Sequence, residues 1–419
     1  MITVRTILGF LLFRRDAILQ IASSSSARWL GLLFVLSAGF AREYDGEYLI
    51  AEPWHLLLPL AASLVGCAVL VILLRAISWS RGVREIGIIS IFLGVLNVYW
   101  MTSPMAWLYA IPFERWMNPG NATRANLLLL GVVSLWRVSL MIRSVSVLFQ
   151  ASLIAASMPV MLFCLSLGFA SFQLIPSPIF MVMGGIRLSD GEEVILGVRF
   201  LLAFAGIVTA PIWIIGFIVS CNTKAPWTWR LRPTAESMVQ TPDQDSSVAR
   251  HAWIAAVISL VVWLPVLPWT QHEQWLRYRA ERLLMAGSIT ELCQWTQNHD
   301  ERSFPPHWDP PPRIGYGETS PPLFRTIVSL HSMMPASWFL KLYDDKFEQR
   351  CGSHFFELSL DDEELNYFSE LLESGEVAGV EPSRFAGSFD YGLEREGTSE
   401  ARRITLKRLQ TICKHKSTE

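Results

Sequence analysis

The stretch PWHLLLPLAASLVGCAVLVILLRAI, residues 53–77, carries no charge between His55 and Arg75. A helix needs about 20 apolar residues to cross a hydrocarbon core about 30 Å thick, so this run reads as a transmembrane helix. Further runs of the same kind lie near 86–111, 125–148, 152–176, 196–220 and 252–270. The stretch from Arg124 to Ile179 is too long for one span and is divided near Phe149–Ser152. A shorter run, 28–41, is flanked by Arg28 and Trp29 on one side and Arg42 on the other, residues that anchor helices at membrane interfaces. Counting it gives seven spans, with six as the alternative.

Composition agrees. Of 419 residues 51% are hydrophobic and 17% charged, against about 25% charged in soluble domains. The mean hydropathy of +0.33 and the 17 Trp exclude disordered, collagenous and disulfide-framework classes. The net charge of −2 is a cancellation. Residues 1–270 hold 18 Lys and Arg against 13 Asp and Glu, whereas 271–419 hold 17 against 24. The chain therefore reads as all-α: a polytopic bundle over 28–270, preceded by an amphipathic interfacial helix in 1–27 and followed by a soluble helical domain over 271–419. No basic stripe supports nucleic-acid binding.

Lys and Arg near span ends favour the cytoplasmic side. With seven spans and a cytoplasmic N-terminus, the inner segments carry twelve such residues, among them Arg14, Arg15, Arg81 and Arg232. The outer loops carry four: Arg42, Arg115, Arg124 and Arg187. The C-terminal domain is then extracytoplasmic.

In that domain Gly287 ends one helix and Ser288–Glu291 has the spacing of a capping box. Trp338, Phe339, Leu342, Tyr343 and Phe347 share a helical face, and 361–374 and 399–414 complete the helices. Those aromatics read as core. Cys67, Cys164 and Cys221 belong to the spans; Cys293, Cys351 and Cys413 lack metal-ligand spacing, and a disulfide among them is left open.

Four features are candidates for function. Arg137 sits inside an apolar run, where an ionisable residue marks a functional site by default. Its plainer role is to snorkel toward the interface marked by Arg143. Asn97, Ser103 and Pro104, with Tyr99 and Thr102, make the third span polar and interrupt its hydrogen-bond ladder, as Pro159 and Pro211 do in later spans. Glu43, Asp45 and Glu47 offer oxygen ligands in the first outer loop, but they read as a solvated acidic turn. The run Pro305–Arg313 and the segment after it form a stiff polyproline strap, 304–318, presenting Trp308 and Tyr316 to its own domain or a partner.

No GxSxG, HExxH, Walker A or GxGxxG motif is present. Catalytic residues, metal ligands and cofactors are accordingly not assigned. The expected partners are the lipid bilayer and a protein bound through the C-terminal domain, which makes the chain a binding or scaffolding protein. A transporter or channel is the alternative, and an intramembrane enzyme the lesser one.

The runs Phe13–Ile18, Phe34–Glu47, Glu52–Leu56, Thr102–Ile111 and Phe304–Pro312 resemble a family of bacterial multi-pass membrane proteins that has no activity to carry over. The order of surface helix and then clustered spans is also faintly similar to Yip-type membrane domains, from which the long helical tail departs.

Overall fold

The computed structural model describes residues 1–81, 87–174, 189–222, 248–311, 335–351, 362–374 and 399–416, with isolated positions among 326–333 and at 389 and 393. No strand occurs among them, only an isolated bridge between Ile2 and Val248. The chain divides into two compact units.

The first unit comprises Met1–Met117, Asn121–Pro176 and Gly197–Gln274. Its N-terminus is two helices, α1 (Val4–Leu11) and α2 (Arg15–Ser23), in place of the single interfacial helix expected. Thr3 caps α1 through a reciprocal pair with Thr6. The chain then turns at Phe13, whose φ of 64° lies in the left-handed region. Ile2, Phe10, Ile18 and Ile21 are fully buried, so the apolar face of this segment packs against the bundle.

α3 (Ser25–Glu43) leaves α2 at a bend of 98°. Ser24 makes that corner: its hydroxyl accepts from the Ala27 amide at 3.3 Å and starts the new helix. α3 crosses α5 (Ile88–Met101) so closely that a Cβ on Gly31 would lie 2.9 Å from the Trp100 Cβ. α4 (Leu58–Ser80), entered through the 3₁₀ helix Pro53–Leu56, packs on α3, α5 and the helix Leu153–Leu174. α5 ends at Thr102, and a second 3₁₀ helix, Ser103–Ala110, continues it.

α6 (Pro119–Leu148) and α7 (Leu153–Leu174) break where the long apolar stretch was divided, at Gln150, whose φ is 45°. α8 (Asp190–Cys221) keeps Pro211 within a continuous helix, as α7 does Pro159. The Arg81 guanidinium donates to the carbonyls of Ser220 and Asn222 at 2.9 and 3.1 Å, satisfying groups at the end of α8 that no further helical turn would reach.

Among the described residues five helices are long and apolar enough to cross a membrane, and a sixth is counted if the bent pair α2–α3 is one span. The count stands below seven and reaches the alternative of six with the bent pair, for two local reasons. The expected first span, 28–41, lies inside α3, which is long and apolar enough only together with α2 across the 98° elbow, and α9 (Arg250–Val261) has only 12 residues, about 18 Å. The surfaces identify the solvent. In the apolar window of α8 only 6% is buried, and Phe200, Leu201, Phe204, Ile207 and Ile215 project outward. A helix that apolar in water would be covered; its exposure places this protein in a membrane.

The second unit comprises Asn118–Gly120, Ser177–Leu196 and Trp275–Glu419. α10 (Leu267–Met285) runs into it, followed by α11 (Ile289–Gln297), α12 (Ser337–Cys351), α13 (Asp362–Ser374) and α14 (Glu400–Lys416). Gly287, with φ of 70°, ends α10 as its position suggested. The capping box expected at Ser288 does not form; its side chain makes no cap bond. Leu276, Leu284, Leu292, Phe339, Tyr343, Phe368 and Leu406 build a separate core, with Arg402 and Asp362 paired at 2.7 Å between α14 and α13. Cys293 is a buried free thiol, and the Cys351 and Cys413 side chains lie outside the described residues.

Candidate functional site

The polar residues of α5 form two centres. Asn97 faces the α2–α3 elbow, where α2 leaves its last carbonyls without helical partners. Its amide nitrogen donates to the carbonyls of Ser24, Ala22 and Ile21 at 2.9, 3.1 and 3.4 Å, and its oxygen accepts from Arg28 Nε at 3.4 Å. Asn97 is 2% exposed, so within the apolar bundle these bonds fix the corner.

The second centre is the break itself. Thr102 donates to the Tyr99 carbonyl at 2.7 Å and accepts from Arg137 Nε at 3.1 Å. The Arg137 guanidinium carbon stands 5.6 Å from the centre of the Tyr99 ring, a cation–π distance. Arg137 thus turns to the hydroxyl and ring at the helix break, where snorkelling toward Arg143 had been its plainer role. Ser103 is buried and Pro104 half-buried at the start of the 3₁₀ segment. Pro104 has no amide hydrogen, which accounts for the change of helix type.

A third polar cluster, which local sequence did not reveal, surrounds the turn at 44–55. Gln271 donates to the carbonyls of Tyr44 and Glu47 at 3.1 and 3.0 Å and accepts from the Leu49 amide at 2.8 Å. Gln274 reaches the Asp45 carbonyl. Beside them Arg115 makes a two-pronged bond to Glu273 at 2.6 and 3.2 Å and lies over the Trp269 ring at 4.5 Å. Burial raises the Asp45 carboxyl to about 6, with the Tyr44 hydroxyl acting against the shift and Glu114 adding to it.

The three acidic residues of this turn separate. Asp45 titrates against Tyr44, Glu114 and Arg115, whereas Glu43 and Glu47 converge with His55, their ligand atoms all within 4.8 Å of one another. All three are half-buried, which replaces the solvated turn expected. The spacing from Glu43 to Glu47, one helical turn, was the available signal; the approach of His55 was not.

In the second unit the strap residue Trp308 is 9% exposed. It stacks on Phe304 at 4.8 Å with rings 6° apart, and its indole donates to Glu281 at 3.0 Å. The carbonyl of Pro311 accepts from Tyr343 at 2.5 Å and that of Pro310 from Lys346. The described part of the strap therefore packs on its own unit. Tyr316 lies outside the described residues.

Compared with known proteins, the chain matches no family model, no curated protein and no solved structure, so the resemblances to a bacterial multi-pass family and to Yip-type domains rest on the quoted runs alone.

Proposed function

We propose that this is a multi-pass protein of a bacterial cytoplasmic membrane that acts by binding or scaffolding, with its N-terminus inside and its C-terminal unit outside the cytoplasm. One observation carries the reading: the Asn97 amide, buried within the interrupted span, is engaged by the α2–α3 elbow. Its bonds hold architecture together, whereas a conducting path needs polar groups free to exchange partners with a solute. The C-terminal unit, with a core of its own, is the natural element to engage a protein partner.

Sidedness depends on whether 250–270 crosses together with α3. Exposed Ile254, Val257, Ile258, Val261, Leu264 and Trp269 continue the outward apolar surface past the end of α9, which favours a crossing completed by non-helical residues and the first turn of α10. An odd number of crossings leaves the two ends on opposite faces. Reporter fusions at residue 300 test this, and a cytoplasmic signal would reject the assignment. For function, a photoreactive residue at exposed Tyr367 or Ile404 of the full chain should capture one protein reproducibly in intact cells; failure at both positions counts against scaffolding.

A second reading, transport, is favoured by Arg137 beside the Thr102 break. Reconstituted vesicles whose solute flux is lost in Arg137→Ala or Ser103→Ala would establish it.

A further inference from the structure

We propose that Glu43, Glu47 and His55 form a site for one divalent first-row transition ion of the zinc class. Two carboxylates and one imidazole place their ligand atoms within 4.8 Å of one another. Around an ion with bonds of about 2.0–2.2 Å, neighbouring ligand atoms sit roughly 3.3 Å apart, so closure requires side-chain movements of about an ångström. Two negative charges balance a divalent ion, and the imidazole favours a transition metal over calcium or magnesium. Three protein ligands leave at least one position for water.

The backbone that carries these ligands is fixed by contacts independent of a metal. Glu43 closes α3, and the Glu47 amide bonds back to its carbonyl at 3.3 Å, which sets the two carboxylates one turn apart. Gln271 grips the same turn at Tyr44, Glu47 and Leu49. His55 arrives from the other direction on the 3₁₀ helix Pro53–Leu56. That helix approaches α3 where Gly39 leaves room: a Cβ there would lie 3.3 Å from the Leu56 carbonyl oxygen. The partner of Glu43 yields easily. Arg42 pairs with Glu43 at 3.2 Å, but its side chain is 66% exposed, and such surface pairs add little. Glu52, 3.9 Å from His55 Nε2, is near enough to orient the imidazole or to complete the coordination. Asp45, the third acid of the loop, is not among the residues whose ligand atoms converge, which is why the set is mixed rather than all-carboxylate.

The test uses the full-length protein in nanodiscs, stripped with a chelator and titrated with Zn²⁺ by calorimetry. The expected result is one equivalent bound per chain, with affinity reduced at least tenfold in His55→Ala and in Glu47→Gln and changed less than twofold in Asp45→Asn. Cobalt should give visible absorption bands that His55→Ala abolishes. Where a variant fails to fold, X-ray absorption on the zinc-loaded wild type decides: a shell of oxygen with a single imidazole supports the site. Absence of stoichiometric zinc, a shell with no imidazole or with several, or unchanged affinity in folded His55→Ala would overturn it.

Discussion

Glu273 receives both arms of the Arg115 guanidinium, and its own side chain is only 5% exposed. The pair ties the segment after α5 to the start of α10 within the first unit. Breaking a buried pair leaves a charge without a partner and costs about 3–5 kcal/mol, whereas removing both members together is far milder. Glu273→Gln should therefore lower the thermal midpoint of the detergent-solubilised protein sharply, and Arg115→Met/Glu273→Leu should recover most of the loss. Equal destabilisation by the single and double variants would show that the pair is not the relevant unit.

Asn97 and the carbonyls of the α2–α3 elbow give a second case. Removing the amide leaves buried acceptors unsatisfied, at about 1–3 kcal/mol for such a group. Asn97→Ala should destabilise the first unit by about 2–3 kcal/mol and speed tryptic cleavage at Arg14 and Arg15, because the corner holding α1 and α2 would open. Unchanged cleavage together with an unchanged midpoint would show that Ser24 alone makes the corner.

These two contacts also show what the sequence made legible. The run at 53–77 and its relatives announce helices because length and unbroken apolarity are local properties, and the break near Gln150 falls at an isolated polar residue for the same reason. Asn97 was visible as a polar intruder in a span, but its acceptors lie 73 to 76 residues earlier. Glu273 and Arg115 are 158 residues apart, and no spacing rule joins them. His55 stands in the sequence only as the edge of an apolar run, and it is the 3₁₀ helix that carries it to Glu43 and Glu47. Trp308 was conspicuous for its prolines, yet Glu281 and Phe304 decide that it is buried. The candidate sites are pairings across the chain, and those belong to packing rather than pattern.

Gly31 and Gly131 should respond to alanine in opposite ways. At Gly31 the new methyl would meet the Trp100 Cβ at 2.9 Å, whereas at Gly131, inside α6, nothing lies within 4 Å. Overpacking of this kind costs about 1–3 kcal/mol, and replacing an unconstrained helical glycine gains up to about 1 kcal/mol. Gly31→Ala should lower the thermal midpoint and Gly131→Ala should leave it unchanged or raise it. A Gly31→Ala protein as stable as wild type would mean that α3 and α5 can separate at no cost.

Asp45 supplies a pH signature whose sign follows from its raised pKa. The carboxyl titrates near 6 in the folded chain, against 3.8 for the free group, with burial as the first cause. The folded state therefore holds this proton over a range in which the unfolded state has released it. The contribution of Asp45 to stability is fully present below about pH 4, falls between 4 and 6, and is constant above, for a total of up to about 3 kcal/mol at 1.36 kcal/mol per pKa unit. Tyr44, Glu114 and Arg115 surround the group, so Asp45→Asn should keep the local packing while removing this fall. Thermal midpoints of wild type and Asp45→Asn, compared from pH 4 to 7, should converge at the acidic end and separate toward neutrality with the variant the more stable. Parallel curves over that range would mean that Asp45 is hydrated as fully in the folded chain as in the unfolded one.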